Sequence, residues 1–463
     1  MDAADKISSA IPTAPRAMPL LGHIPALVHN PWRFLISLPQ YGEMVQVRIG
    51  PKRVVVVCDL DLTRRMLRDD RTFDKGGPTF DGSREVAGDG LVLCSHSRHR
   101  QQRRLVQGAF HPDRIRGYAQ TMTGQVTRVI DSWRDGQVLD VYAEMKKATS
   151  RATTSTLFSN SLPEPILQQA VYDLTVLFEG FYRRTLMPRL LTRAPTPSNR
   201  RFERALARLR HTIAEVVADR RTFDGDRGDL LSALVTGRAP VAADGDRSEM
   251  SDAEIIDQVI TFFLAGTETT AALLAWALYF GAANPDIEQR LHAEVDIVLA
   301  GRSPAHVDLN QLKLTGQIVT ETLRICPPAW LATRVTTSVT RLGKYTLPVG
   351  TSVAYSPYLL HHRGDLFTEP ERFDPDRFDP AHHLVPRDER LLPFGDGPRT
   401  CIGDRFAMTE ATLALATIAA RVRLELVRGQ PVRPALGIVL RPAHLRMRMR
   451  LRTRPDSPRA DKH

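Results

Sequence analysis

Phe394-Gly-Asp-Gly-Pro-Arg-Thr-Cys401-Ile-Gly403 is the stretch of this 463-residue chain on which the reading of the rest turns. Its glycines let the backbone bend and approach a bulky planar group closely. An apolar, alanine-rich run from Phe406 reads as a helix. Cys401 therefore stands just ahead of a helix N-terminus, where the helix dipole and free N–H groups favour a thiolate. That arrangement suits a permanent metal ligand. A lone cysteine in a glycine-rich turn is more often buried and inert, so its neighbours carry the weight.

Working outward, composition fits a soluble globular chain and excludes disordered and fibrous classes, with 42% hydrophobic and 25% charged residues. Cys58, Cys94, Cys326 and Cys401 lie far apart without a CxxC, in a chain too large to depend on disulfides, which fits a reducing cytoplasm. The start, with Asp2, Asp5 and Lys6, lacks the basic-then-apolar pattern of a signal peptide. One domain is expected over 1–463, with a flexible arm over 1–15 and a flexible tail over 454–463.

Thr261 to Ala283 is long and apolar, with Glu268 its only charge. A membrane span and a buried central helix share this pattern. The central acid, the threonines around it and the polar flanks favour the buried helix, so no transmembrane segment is expected. Ser251 and Glu254 have capping-box spacing at its start, and Asn284-Pro285 marks its end. Helical patterns run from His99 to about Asn284. Short β segments are expected at Val45–Ile49 and Arg53–Cys58, around Gly50-Pro51, and again between Arg334 and Tyr355. The fold class is mainly α with a small β portion.

The net charge of +11 suits an acidic partner. Its densest tract alternates Leu445, Met447, Met449 and Leu451 with Arg446, Arg448, Arg450 and Arg452, the period of a half-buried strand with a solvated arginine face. No aromatic residue interleaves these arginines, and zinc-finger, RNP1-like and helix-turn-helix patterns are missing, so a nucleic-acid partner is not expected. No P-loop, HExxH, GxSxG or strand-linked GxGxxG is found. The pairs His361-His362 and His382-His383 lack metal-ligand partners and read as surface residues.

Phe394, Gly397, Arg399, Cys401 and Gly403 together resemble the cysteine-ligand signature of the cytochrome P450 family, of the soluble bacterial type. The resemblance runs from Pro19-Leu-Leu-Gly22-His to Leu440-Arg-Pro442. It implies a single-domain fold with haem b held between the long helix and the cysteine-loop helix, and Cys401 as the axial ligand of the iron. Glu321-Thr-Leu-Arg324 places an acid and a base on one helix face. The resemblance joins to them Arg377 of Phe373-Asp-Pro-Asp-Arg377-Phe378 as a structural brace, with Arg372 a weaker third member.

In Ala265-Gly-Thr-Glu268-Thr269-Thr270, an apolar helix has no packing reason for a carboxylate. Back-bonding to the preceding turn accounts for Thr267 and Thr270. The resemblance makes Glu268 and Thr269 the catalytic pair that delivers protons beside bound oxygen. His99 and Arg103, four apart, share a helix face; with Arg334, Arg399 and Phe394 they are the expected haem-binding residues. Arg98 reads as solvated surface, while Arg100 and Arg104 are expected to dock an acidic electron-transfer protein.

By motif position the substrate pocket is expected to include Phe262, Phe263, Ala265, Trp330, Leu331, Ala332, Ile438 and Val439, with gating loops over Phe73 to Gly90 and Phe178 to Met187. In those loops and in Asn199-Arg-Arg-Phe202 the chain resembles most the actinobacterial sesquiterpene oxygenases, pentalenene oxygenase among them. The implied reaction inserts one atom of O2 into a C–H bond of a small apolar substrate, a cyclic sesquiterpene of secondary metabolism. Electrons come from NAD(P)H through a separate ferredoxin reductase and ferredoxin. Hydroxylation of a fatty acid or macrolide, or a peroxide-using or isomerising haem enzyme, are the alternatives. The intact Glu268-Thr269 pair speaks against the peroxide and isomerase readings.

Overall fold

The chain is described by a computed structural model over residues 11–76, 80, 84, 88–158, 163–186, 194–222, 225–236, 249–379, 389–429, 431–435 and 437–452, with backbone only at 181–186. The expected tail from 454, the first ten residues and the pair His382-His383 lie outside these. Ile11 and Ala14 are buried, and Thr13 bridges Gln46, so the described part of the arm lies along the first strand.

Asp252–Ala283 is the axis of the molecule. Ser251 Oγ accepts from the Glu254 N–H at 3.3 Å and Glu254 Oε2 accepts from the Ser251 N–H at 3.0 Å, the expected capping box. Asn284 is the C-cap and Pro285 opens the next helix. Length and composition would let this helix cross a membrane, yet 78% of its most apolar window is buried in protein. Ala271 to Leu278 are all buried. The helices Val141–Phe158 and Asp404–Arg421 pack against it from two sides.

A five-stranded sheet lies beside the helices, in the order Met44–Ile49, Lys52–Val57, Ser352–Tyr355, Ala332–Thr336, Phe73–Asp74. The first two strands form the expected hairpin, with Val45 opposite Val56, and only the Lys52–Val57 to Ser352–Tyr355 pairing is parallel. Two strands distant in sequence thus carry Arg334 and the residue before Lys75 to one edge. Val138–Asp140, inside the stretch read as helical, pairs with Arg446–Leu451. Three residues are too few to leave a two-residue period in the sequence.

In Arg446–Leu451 the alternation holds for Met447 and Met449, both fully buried, but Leu451 is 62% exposed. Its arginine face is not simply solvated: Arg450 meets Glu425 and Asp135, and Arg452 pairs with Asp296 at 2.6 Å. His361 and His362 are a clear correction, since both are buried. His361 accepts from the Leu392 N–H at 2.9 Å and its other ring nitrogen lies 3.1 Å from the Arg324 carbonyl. His362 lies 2.7 Å from the Tyr358 carbonyl, and burial lowers its pKa to about 4. Backbone partners let these rings enter the core neutral.

Glu410, on the Asp404–Arg421 helix, is fully buried with the Thr270 hydroxyl as its polar neighbour. Burial raises its carboxyl from 4.5 to about 8. The native state then holds a proton that the unfolded chain releases, so stability is full below pH 4.5 and declines as pH rises toward 8. The slope from this one group is about 1.4 kcal/mol per pH unit. Glu410→Gln should flatten that decline and raise the melting temperature at pH 8 relative to wild type, measured by thermal unfolding across pH 5 to 8.

Candidate active site

Two glycines shape the cysteine loop, Gly395 at φ 74° and Gly397 at φ 70°. A Cβ on Gly397 would lie 2.5 Å from the Leu67 carbonyl oxygen, so this residue sets how close the loop comes to the helix Leu60–Arg68. The Cys401 N–H donates to the Phe394 carbonyl at 2.9 Å. Gly403 caps the Asp404–Arg421 helix, and its N–H donates to Cys401 Sγ. Burial nonetheless pushes the thiol up, with the Gly403 N–H and the charges of Arg103 and Lys75 pulling the other way. The helix terminus alone does not make the thiolate; a metal cation at Sγ would. Among the described residues no three His, Cys, Asp or Glu side chains gather into a metal site. A single thiolate with no further protein ligands suits a metal that a macrocycle already holds.

The surroundings fit an anionic macrocycle. Lys75, Arg103 and Arg334 have no carboxylate within ion-pair distance among the described residues. Arg103 donates to the Thr400 carbonyl at 2.7 Å, Arg334 to the Thr333 carbonyl at 2.8 Å and Lys75 to the Val92 carbonyl at 2.7 Å. Burial lowers Lys75 to about 7, and Arg334 and Arg399 add repulsion. His99 is buried and lowered to about 3, first by burial and then by Arg399, Lys75 and Arg103. Cations crowded to this degree call for anionic groups such as the two carboxylates of haem.

Arg399, the remaining expected cation, has carboxylate partners within the chain. Its three nitrogens reach Asp70, Asp74 and the Cys94 carbonyl, each at 2.9 Å. Two carboxylates already neutralise it, so it anchors the loop more than it offers charge. Lys75 is a further cation at this place that the sequence did not single out, because it sits in a loop set aside for substrate gating. Phe73 in that loop is buried in the sheet edge, and residues 77–79, 81–83 and 85–87 lie outside the described ones.

On the long helix, Ala265 is exposed and Thr269 half-buried where most neighbours are buried. Cys401 is likewise accessible. Phe110 links the two elements: it stacks edge-on against Phe262 at 5.1 Å and would touch a Cβ on Gly403 at 3.7 Å. The Thr269 hydroxyl donates to the Ala265 carbonyl at 2.6 Å, the back-bonding expected of Thr267 and Thr270 instead. Thr267 Oγ has no partner among the described residues, and Thr270 faces Glu410. Glu268 turns toward the Val141–Phe158 helix, where Lys146 pairs with it and the Tyr142 hydroxyl donates to it. Burial, then Glu268, raises the Tyr142 phenol. Neither Tyr142 nor Lys146 was found in the sequence, because their partner lies far along the chain.

The expected brace is present as geometry. Arg324 reaches Glu321 at 2.7 and 2.9 Å, both fully buried, and Arg377 reaches Glu321 at 3.1 Å. Arg324 also donates to the His361 carbonyl at 2.9 Å and the Arg372 carbonyl at 3.2 Å, so Arg372 joins through its backbone. Of the pocket candidates, Ile438 is exposed and Leu331, Ala332 and Val439 are half-buried. Phe263 and Trp330 belong to the core. Phe263 shares a core cluster and lines a small apolar cavity with Ile213 and Val259, while Trp330 meets Trp32 at 5.0 Å and donates to the Gly437 carbonyl at 2.9 Å. Phe202 is wedged against Gly180, and Met187 lies outside the described residues.

Arg98 lies on the surface as expected, and there it bridges Asp89 at 2.5 Å and Glu254 at 2.8 Å. Arg100 is exposed and Arg104 half-buried on the same helix, His96–Val106. Removing one member of a buried ion group leaves the others uncompensated. Glu321→Ala should therefore destabilise the fold by about 3–5 kcal/mol, read as a lowered urea midpoint.

The chain is similar to known proteins over most of its length. Cyclooctatin synthase of Streptomyces melanosporofaciens is 43% identical, with 94% of each chain covered. Pentalenene oxygenase of Streptomyces avermitilis is 40% identical over 95% of this chain and 97% of its own. Cyclooctat-9-en-7-ol 5-monooxygenase of Streptomyces melanosporofaciens is 43% identical over 90% of each. In structure, the cytochrome P450DA heme domain superposes with a TM-score of 0.84 at 26% identity, covering 96% of this chain and 98% of its own. The sequence pattern described as Cytochrome P450 matches residues 12–448, and the chain belongs to the cytochrome P450 family of haem-thiolate monooxygenases.

Proposed function

We propose that this monooxygenase hydroxylates a cyclic terpene, with Cys401 as the axial ligand of its haem iron. The observation that carries the site reading is the accessible Cys401 beside three cations that lack carboxylate partners among the described residues. Lys75, Arg103 and Arg334, with neutral His99 as a hydrogen-bond donor, hold the haem carboxylates, and Phe394 supports the loop. The haem, when bound, supplies reductive activation of dioxygen. Thr269 holds a hydroxyl proton against the Ala265 carbonyl, and Glu268 exchanges protons with the Lys146 and Tyr142 side of the helix. Phe262, Ala265, Leu331, Ala332, Ile438 and Val439 keep the substrate's C–H bond in an apolar, water-poor space.

The terpene reading is supported by relatives at 40–43% identity whose names give pentalenene and cyclooctatin chemistry. Sesquiterpene and diterpene skeletons both fall within it. The reduced carbon monoxide complex should show the red-shifted Soret band of thiolate ligation, lost in Cys401→Ser with the far-ultraviolet circular dichroism unchanged. Spin-state shifts should follow cyclic sesquiterpenes or diterpenes; shifts only with fatty acids or macrolides would overturn the substrate class.

Bacterial relatives of this kind work with separate redox partners. We infer a ferredoxin supplied by a ferredoxin reductase and NAD(P)H in the cytoplasm, docking on Arg100 and Arg104 of the His96–Val106 helix. Arg100→Glu with Arg104→Glu should slow ferredoxin-dependent reduction at least about tenfold at low salt, and the gap should narrow as ionic strength rises. Stopped-flow reduction under carbon monoxide measures it.

A further inference from the structure

The arm leading into the sheet bears apolar side chains that no described part of the chain covers. Met18 and Gly22 exchange backbone hydrogen bonds of 2.8 and 2.9 Å, closing a tight loop with Pro19-Leu20-Leu21 at its tip. Leu20 has φ 60° and is 88% exposed. Left-handed backbone disfavours such a residue, and glycine, asparagine or aspartate normally occupies it. Leu20 thus carries strain and exposed apolar surface together. The adjoining helix Ile24–His29 buries none of its residues, and Val28 is 71% exposed.

This tip is held firmly. A Cβ on Gly22 would collide with the Arg48 carbonyl. His23 is buried between the Ala14 carbonyl at 2.8 Å and the Arg48 N–H at 2.9 Å, and the Gly50 N–H donates to the Leu21 carbonyl at 3.2 Å. The apolar tip therefore stands fixed beside the hairpin turn Gly50-Pro51-Lys52-Arg53.

Charge identifies what covers it. Between Ile11 and Cys58 the sequence holds Arg16, Arg33, Arg48, Lys52 and Arg53 against a single acid, Glu43. Arg16, Lys52 and Arg53 are exposed. A second copy on this face would set those cations against one another, whereas anionic lipid offers an apolar layer beneath a negative surface. We propose that the Met18–Gly22 loop, the Ile24–His29 helix and the hairpin turn dock this enzyme on an anionic phospholipid bilayer. Leu20 and Val28 enter the boundary between headgroups and acyl chains, and the cations lie against the headgroups.

Sedimentation of the haem-loaded enzyme with phosphatidylcholine–phosphatidylglycerol vesicles, against phosphatidylcholine alone, tests this. Binding should require the anionic lipid and weaken with salt. Arg16→Glu with Lys52→Glu should weaken it about tenfold or more, and Leu20→Asn with Val28→Ser should do the same. Asparagine tolerates the left-handed backbone, and the carbon monoxide spectrum of each variant reports an intact fold. Wild-type protein left in the supernatant, or variants that sediment like wild type, would overturn the proposal. A lipid-free dimer abolished by Leu20→Asn with Val28→Ser would overturn it too, assigning the face to a second copy.

Discussion

A single buried guanidinium, that of Arg399, fixes the reaction centre to the rest of the chain. It joins Asp70 and Asp74, on either side of the short sheet-edge strand's start, to the Cys94 carbonyl and to the cysteine loop two residues before Cys401. The same carboxylates reach the His96–Val106 helix, through an Asp70 to His96 contact of 3.1 Å and a bond from the His96 N–H to Asp74 at 2.9 Å. That helix then presents His99 and Arg103 on one face. Charge-assisted bonds of this kind hold direction as well as distance. The sheet edge, the cation-bearing helix and the cysteine are thereby aligned by one side chain.

Such an arrangement concentrates strain where the chemistry is. Burial first, and then the charges of Arg334 and Arg399, lower Lys75, and burial, then Arg399, Lys75 and Arg103, lower His99. A chain optimised for stability alone would not assemble them. Conflict between local preference and global fold is expected at functional sites.

What could be read in the sequence was what depends on neighbours within a few residues. The glycines around Cys401, the Ser251–Glu254 cap and the Glu321–Arg324 spacing are local, and each has a geometric reason visible in the order of residues. Partners chosen by tertiary packing were not legible. Glu268 is held from a helix more than a hundred positions away, and Arg399 spends its charge on acids from the opposite end of the chain. His361 and His362 looked polar and superficial because nothing in sequence shows that backbone groups will meet their ring nitrogens. Apolar residues such as Trp330 and Phe263 carry no mark in the sequence that separates a pocket wall from a core.

The long helix from Asp252 to Ala283 is pinned at both ends, by its capping box and by Asn284-Pro285. Its thirty-two residues rise about 48 Å. The helix is therefore a graduated rod that converts residue number into depth and azimuth. Substituting a side chain along it alters one mark on the scale. Inserting or deleting one residue between Ser251 and Ala265 would turn every later mark by about 100°, carrying Ala265, Glu268 and Thr269 off their bearings together. Length, more than any single side chain, is what this segment cannot vary.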